Sequence, residues 1–142
     1  MKEYKEKIIS VEKALTFVES DSCIMTAVAA AAPQAFLSEL HTIADRVRNV
    51  NVNLCLSLRS YEFLESTEYE DSFEVVSWFY GPGMRKAQKI RKVTYCPNHL
   101  RYMGRNRLKA VHPHIFVGCG TYPDENGKLS LSLSSIYETE VM

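Results

Sequence analysis

No stretch of this 142-residue sequence approaches the roughly 20 apolar residues a membrane-spanning helix requires. Nor does the opening Met-Lys-Glu-Tyr-Lys-Glu-Lys lead into the apolar core of a signal peptide. Together these absences predict a cytoplasmic protein. No Cys-x-x-Cys pair occurs: Cys23, Cys55, Cys96 and Cys119 are 32, 41 and 23 residues apart, each in or beside an apolar run. Zinc sites bring two ligands close together in the chain and small secreted folds cluster their cysteines, so buried free thiols are expected instead. The sequence has no Gly-x-Ser-x-Gly elbow, no P-loop lysine and no Gly-x-Gly-x-x-Gly, which removes the usual support for hydrolase, NTPase and dinucleotide-binding readings. Internal repeats, low-complexity tracts and linkers are also missing, so one domain spanning 1–142 is expected, at a length that can bury one core.

Acidic residues are unevenly missing. Residues 1–80 carry 13 acidic and 7 basic side chains, whereas residues 81–123 carry 9 basic and no acidic ones. Two readings follow. The basic segment meets an anionic partner, or its charges lie on solvated helix faces that balance the acidic first half.

What is present is a succession of apolar segments. Ser10 precedes Val11, Ala14, Leu15 and Val18, the spacing of one helical face behind a capping serine. Residues 22–28 run apolar without a helical stripe and read as a buried strand, followed by a loop of small residues from Ala29 to Ala32. Pro33 suits the first turn of a helix, and Phe36, Leu37, Leu40, Ile43, Ala44 and Val47 continue its apolar face. Residues 50–58 alternate, with Val50, Val52, Leu54, Leu56 and Leu58 on one side and Asn51, Asn53, Cys55 and Ser57 on the other, which predicts a strand. Glu62 to Asp71 reads as a polar surface excursion. Phe73 to Tyr80 reads as a further strand broken by Gly81-Pro82-Gly83, Met84 to Lys92 as a basic helix, and Val93 to Tyr95 as a short strand stopped by Pro97. Residues 115–120 read as a buried strand whose two glycines allow close approach of backbone or ligand. The Asn126-Gly127 turn signal then leads into Leu129, Leu131 and Leu133 alternating with Ser130, Ser132 and Ser134. This order predicts an α/β domain with a layered, open, mostly parallel sheet and helices on both faces. After Ser135 no closing helix is expected, and a partner segment is expected to cover the sheet.

Ligands of such sheets gather at the carboxyl ends of the strands. The candidate lip comprises Ala29 to Pro33, Ser57 to Ser60, Tyr80 to Gly83, Tyr95 to His99 and Gly118 to Asp124, a set suited to backbone approach and poor in proton-transfer groups. His112-Pro-His114 is half of a metal motif without acidic or cysteine neighbours. Asp124 beside Gly127 reads as a turn former, and Cys119 as a nucleophile candidate to which no base can be assigned.

The same lip carries a resemblance. Tyr4-Lys-Glu-Lys7, Ser10-Val-Glu-Lys-Ala14, Pro33-Gln-Ala-Phe-Leu37, Asn49-Val-Asn-Val52, Phe79-Tyr-Gly-Pro-Gly-Met-Arg-Lys-Ala87, Val93-Thr-Tyr-Cys-Pro-Asn-His-Leu100 and the run from Ile115 to Ser132 resemble the amino-terminal domain of the acetyl-CoA hydrolase/transferase family, which includes acetate and 4-hydroxybutyrate CoA-transferases. The chain departs from that pattern at three places. Ser20-Asp21-Ser22 stands where Ser-Gly-Asp is usual, alanines replace a glycine-rich loop after the first core strand, and a glycine is missing near Arg91.

The resemblance implies a two-domain enzyme that moves CoA between carboxylic acids. Its glutamate nucleophile lies in a carboxy-terminal domain outside these residues, and no catalytic residue or metal site is implied within them. It implies acyl-CoA and a small carboxylic acid as substrates, no permanently bound cofactor, and possible homo-oligomers. Pro33, Tyr95, Pro97, Asn98 and Gly118 are the implied substrate-lining residues, in a domain inactive alone. The competing reading is a non-enzymatic module that uses the basic 81–123 segment to hold nucleic acid or another anion.

Overall fold

The computed structural model describes every residue except Met1, Ser132 and Ser134, with Lys2 and Glu3 described by backbone alone. In chain order its elements are α1 (Lys2–Lys5), α2 (Val11–Leu15), β1 (Cys23–Thr26), α3 (Gln34–Glu39), β2 (Val50–Leu54), α4 (Glu62–Glu65), β3 (Phe73–Ser77), α5 (Arg85–Lys89), β4 (Val93–Tyr95), α6 (Met103–Ala110), β5 (Ile115–Val117) and α7 (Glu138–Val141). Short 3₁₀ turns lie between several of them. The strands form one sheet in the order β4-β3-β2-β1-β5, and each neighbouring pair is parallel. The mostly parallel expectation thus becomes a wholly parallel sheet among the described residues.

Strand parity explains the layering. Ile24, Val50, Val52, Leu54, Phe73 and Val75 point to one face, where Leu15, Val18, Phe36, Leu37, Phe63, Leu64, Met84 and Ala87 cover them. Met25, Val76 and Trp78 point to the other face, beneath Met103 and Tyr137. Burial of this kind, at about 25 cal/mol for each Å² of apolar surface removed from water, is the main force holding the layers together.

Several predicted boundaries move, each for a local reason. α2 begins as expected, with Ser10 Oγ accepting from Lys13 N–H at 3.2 Å, and stops at Leu15 where Thr16 Oγ1 donates to the Lys13 carbonyl. The long helix predicted from Pro33 to Val47 becomes α3 followed by a 3₁₀ turn over Leu40–Ile43. There the Ser38 carbonyl bonds the His41 ring and the Glu39 carbonyl accepts from the Thr42 hydroxyl, side-chain bonds that compete with the helical ladder. The strand predicted over 50–58 ends at Leu54, because Leu56 adopts φ 48°. The supposed polar excursion contains α4, whose Phe63 and Leu64 are wholly buried.

Helix α6 has no counterpart in the sequence reading. It lies over a polar ladder on the second face: Arg107 Nε donates to Asn53 Oδ1 at 2.7 Å, Asn53 Nδ2 donates to Asn51 Oδ1 at 2.7 Å, and Asn51 Nδ2 donates to Glu74 Oε2 at 2.8 Å. Asn53 is therefore buried beneath the helix, and Asn51 is half-buried at its margin.

The strand expected at residues 129–134 is reduced to one antiparallel bridge between Gly120 and Leu131; Ser132 and Ser134 lie outside the described residues. The expectation of an uncovered face after Ser135 is also corrected. α7 follows, with Tyr137 and Glu138 buried against the sheet.

Candidate functional site at the carboxyl rim of the sheet

Because the strands are parallel, all their carboxyl ends meet at one rim. Connections from β1 step outward through β2, β3 and β4, then return across the sheet to place β5 on the other side of β1. The crevice between β1 and β5 is therefore the topological switch point, where open α/β sheets bind ligands.

Backbone groups dominate this crevice. Ala27 N–H donates to the Val117 carbonyl at 3.0 Å, and Cys119 N–H donates to the Ala31 carbonyl at 3.2 Å. Val28 N–H donates to Glu138 Oε1 at 3.1 Å, and the Tyr137 hydroxyl donates to the Thr26 carbonyl. Ala29 stands at φ 50°. A cleft of about 270 Å³ opens beside these groups, lined by Ala27, Phe116, Gly118, Cys119, Leu131 and Glu138 among others. A Cβ on Gly118 would lie 3.0 Å from Ala27 Cβ and 3.2 Å from the Phe116 ring, so the glycine allows the close approach that shapes the wall.

The five residues expected to line a substrate share this rim in two groups. Gly118 lies in the cleft, and Pro33, buried, follows the Ala29–Ala32 turn that Cys119 bonds. Tyr95, Pro97 and Asn98 lie at the end of β4 on the opposite edge, three strand spacings from β1 and four from β5, or roughly 14–19 Å away. Tyr95 is half exposed and packs edge-on against Tyr80 with ring centres 5.0 Å apart. Asn98 is engaged on both sides of its amide. Nδ2 donates to the Met103 carbonyl at 3.3 Å and Oδ1 accepts from Asn106 at 2.9 Å, which pins the start of α6. Between the groups, Gly83 rests on the Arg59 backbone so closely that a Cβ would fall 2.2 Å from the Arg59 carbonyl oxygen.

Burial governs the electrostatics. It pushes the Cys55 thiol up to about 12, assisted by the nearby Glu138, and raises the Tyr137 hydroxyl well above its ordinary range. Both groups stay protonated at neutral pH. Cys119 is exposed at the cleft. At the opposite end of the sheet, His114 Nδ1 accepts from Cys23 N–H at 2.8 Å, which occupies one ring nitrogen of the His-Pro-His sequence. Among the described residues, no group of three or more His, Cys, Asp or Glu side chains could hold a metal ion.

The basic 81–123 segment is dispersed. Arg85, Lys86 and Lys89 ride on α5 over one face of the sheet, and Arg105 and Lys109 ride on α6 over the other. Lys86 pairs with Glu65 at 2.9 Å, Arg107 turns inward to the asparagine ladder, and Lys92 is buried. These residues are thus divided between the two faces of the sheet and its interior. Sequence reasoning missed Tyr137 and Glu138 at the rim, because their partners lie more than a hundred residues away.

Residues 1–135 match the model of the acetyl-CoA hydrolase/transferase N-terminal domain. Among solved structures, RipA from Yersinia pestis matches with TM-score 0.83 and 21% identity, over 97% of this chain and 34% of that one. Two single-residue variants of RipA match with TM-scores of 0.85 and 0.84 at 20% and 21% identity, with the same coverage. The chain thus spans about a third of the length of the structures it resembles, and at this identity the likeness establishes the fold. Comparison with curated protein sequences finds no match. By its match over residues 1–135, the chain belongs to the acetyl-CoA hydrolase/transferase family as an N-terminal domain.

Proposed function

We propose that this domain forms one wall of the substrate cleft of an acyl-CoA:carboxylate CoA-transferase and is inactive by itself. The observation that carries the reading is the family match over residues 1–135, joined to a switch-point crevice built from backbone and small residues. In this reading a glutamate on a carboxy-terminal domain attacks the acyl-CoA thioester carbonyl. The carbon–sulfur bond breaks, CoA leaves as thiolate, and an acyl-glutamyl anhydride forms. The thiolate then attacks the glutamyl carbonyl, which releases the first acid as carboxylate and leaves a glutamyl-CoA thioester. A second carboxylate takes the CoA by the reverse steps.

Nothing in this sequence of steps requires a resident cofactor; acyl-CoA and a small carboxylic acid are the substrates. Acetate and 4-hydroxybutyrate are the acids suggested by the family resemblance. Pro33 and Gly118 would flank the acyl end, and Tyr95, Pro97 and Asn98 would meet a more distant part of an extended thioester along the same rim. A cytoplasmic location and a homo-oligomeric assembly belong to the same proposal. Among the described residues, no helix is long and apolar enough to cross a membrane.

The test is isotope exchange. The chain is co-produced with a carboxy-terminal domain of the family, and labelled acetate is incubated with unlabelled acetyl-CoA. Label entering acetyl-CoA only when both parts are present supports the proposal. A well-folded complex that catalyses neither exchange nor thioester hydrolysis refutes it.

A further inference from the structure

We propose that Tyr137 and Glu138 form a clamp that positions the loop from Val28 to Pro33 for the reaction, a role that rests on the transferase reading above. The geometry is a two-point attachment across one residue. The Tyr137 hydroxyl donates to the Thr26 carbonyl, and Glu138 Oε1 accepts from Val28 N–H at 3.1 Å, so both flanks of Ala27 are held from the same dipeptide. Glu138 Oε2 accepts from Ile136 N–H at 2.6 Å and Tyr137 N–H at 3.0 Å, which fixes the carboxylate in turn. Both side chains are almost fully buried, at 1% and 0% exposure.

The Tyr137 ring is held edge-on against Trp78 with centres 5.0 Å apart. Gly104 of α6 admits the segment: a Cβ there would fall 2.7 Å from Tyr137 Cβ and 2.5 Å from Glu140 Oε2. The clamp is thus anchored on the sheet and on α6 before it reaches the loop.

The loop needs such an anchor. Ala29 sits at φ 50°, a conformation that costs a residue bearing a Cβ roughly 1–2 kcal/mol, and strained backbone persists only where its surroundings over-determine it. The bond that Ala29 N–H makes to the Cys55 carbonyl is long, at 3.4 Å. Glu138 supplies the firm hold one residue earlier, at the edge of the cleft that it also lines. Released from the clamp, the loop keeps its bonds to Val117 and Cys119 but loses the hold on Val28 beside the strained Ala29. Small displacements of this kind reduce rates steeply when reacting groups must be held in register.

The experiment compares the parent with Glu138→Ala, Glu138→Gln and Tyr137→Phe. The first readout is amide hydrogen exchange at Val28 in the labelled chain, which requires no activity. The second is acetate exchange by the assembled enzyme, resolved into kcat and KM. In Glu138→Ala, Val28 exchange is expected to accelerate and kcat to fall on the order of tenfold or more, with KM for acetyl-CoA little changed. Glu138→Gln keeps one acceptor oxygen for the three N–H groups that the carboxylate holds and turns its amide NH2 towards a donor, so it is expected to lie between the parent and the alanine variant in both readouts. Tyr137→Phe keeps the ring on Trp78 and is expected to show a smaller fall in kcat, which retains a test if the alanine variant does not fold.

Unchanged Val28 exchange in a folded alanine variant overturns the clamp. So does a kcat insensitive to all three substitutions in an active enzyme. If the parent enzyme shows no exchange at all, the transferase reading has failed, and the Val28 protection pattern alone then decides whether the clamp exists.

Discussion

Replacing Lys92 with methionine is expected to stabilise this domain at neutral pH. Lys92 is 6% exposed, and its Nζ has no hydrogen-bond partner among the described residues. Burial pulls its ammonium down from the ordinary 10.5 to about 8, against the opposing pull of Glu70 and Asp71. Each tenfold change in proton affinity is worth about 1.4 kcal/mol, so holding the charged amine in the fold costs about 3 kcal/mol at pH 7. Between pH 8 and 10.5 the unfolded chain keeps a proton that the folded chain has released. Parent stability from this group therefore rises with pH through that window, and below pH 8 the full cost is present. Methionine has a similar volume and no charge to desolvate. Urea unfolding of parent and variant at pH 7, 8.5 and 10 is the assay, and taking the difference at each pH cancels the other titrating groups. A gain of about 3 kcal/mol at pH 7, roughly 10 °C in midpoint for a chain of this size, should shrink towards zero by pH 10. A variant no more stable than the parent at pH 7, or a gain that does not depend on pH, refutes the reasoning.

Three further outcomes are expected. Ala29→Gly and Arg91→Gly each relieve a positive φ, 50° and 59° respectively, and should raise stability by up to about 1 kcal/mol in chemical unfolding. Gly83→Ala drives a methyl group into the Arg59 carbonyl and should destabilise by roughly 3 kcal/mol or more. Gly127→Ala meets no atom within 4 Å and should lose only about 1 kcal/mol to its φ of 75°; the same unfolding assay separates the two. Titration with an aromatic disulfide should label exposed Cys119 first and half-buried Cys96 more slowly, while buried Cys23 and Cys55 react only on unfolding, which mass spectrometry of the labelled peptides would establish.

Alternation and helical spacing located the five strands and, of the helices on the first face, α2, α3 and α5, but not α4, whose buried Phe63 and Leu64 sit among acidic residues too few for a period to show. The method failed where packing is polar or distant. Helix α6 offers only Met103 and Leu108 as large apolar side chains, and it is held through Arg107 to the asparagine ladder, so no apolar period announces it. The divided helix after Pro33 kept its buried residues, since a 3₁₀ turn changes the hydrogen-bond span without changing which side chains are apolar. The three departures from the family pattern were more informative than they looked. Asp21 at φ 63°, Ala29 and Arg91 all occupy left-handed backbone, which is where glycine would be expected. Asp tolerates that region, whereas alanine and arginine pay steric strain. The rim was legible as a set of strand ends. Its division into two groups was not, because separation across a sheet depends on strand order, which adjacent sequence does not reveal.

Strand order also bears on what the rim can recognise. Pro33 and Gly118 lie by the switch point, while Tyr95, Pro97 and Asn98 lie roughly 14–19 Å away at the far edge. A free short-chain acid reaches one group and not both. An extended thioester with its acyl end in the β1–β5 crevice can run along the rim towards the β4 edge, past Gly81 and Gly83, where the chain packs closely against the Ser57–Arg59 backbone. Recognition of such a ligand would then rest on shape and backbone polarity, and the reactive carboxylate would have to come from outside these residues. Under the proposed transferase reading, this chain would contribute geometry: a crevice whose inner edge is set by Tyr137 and Glu138.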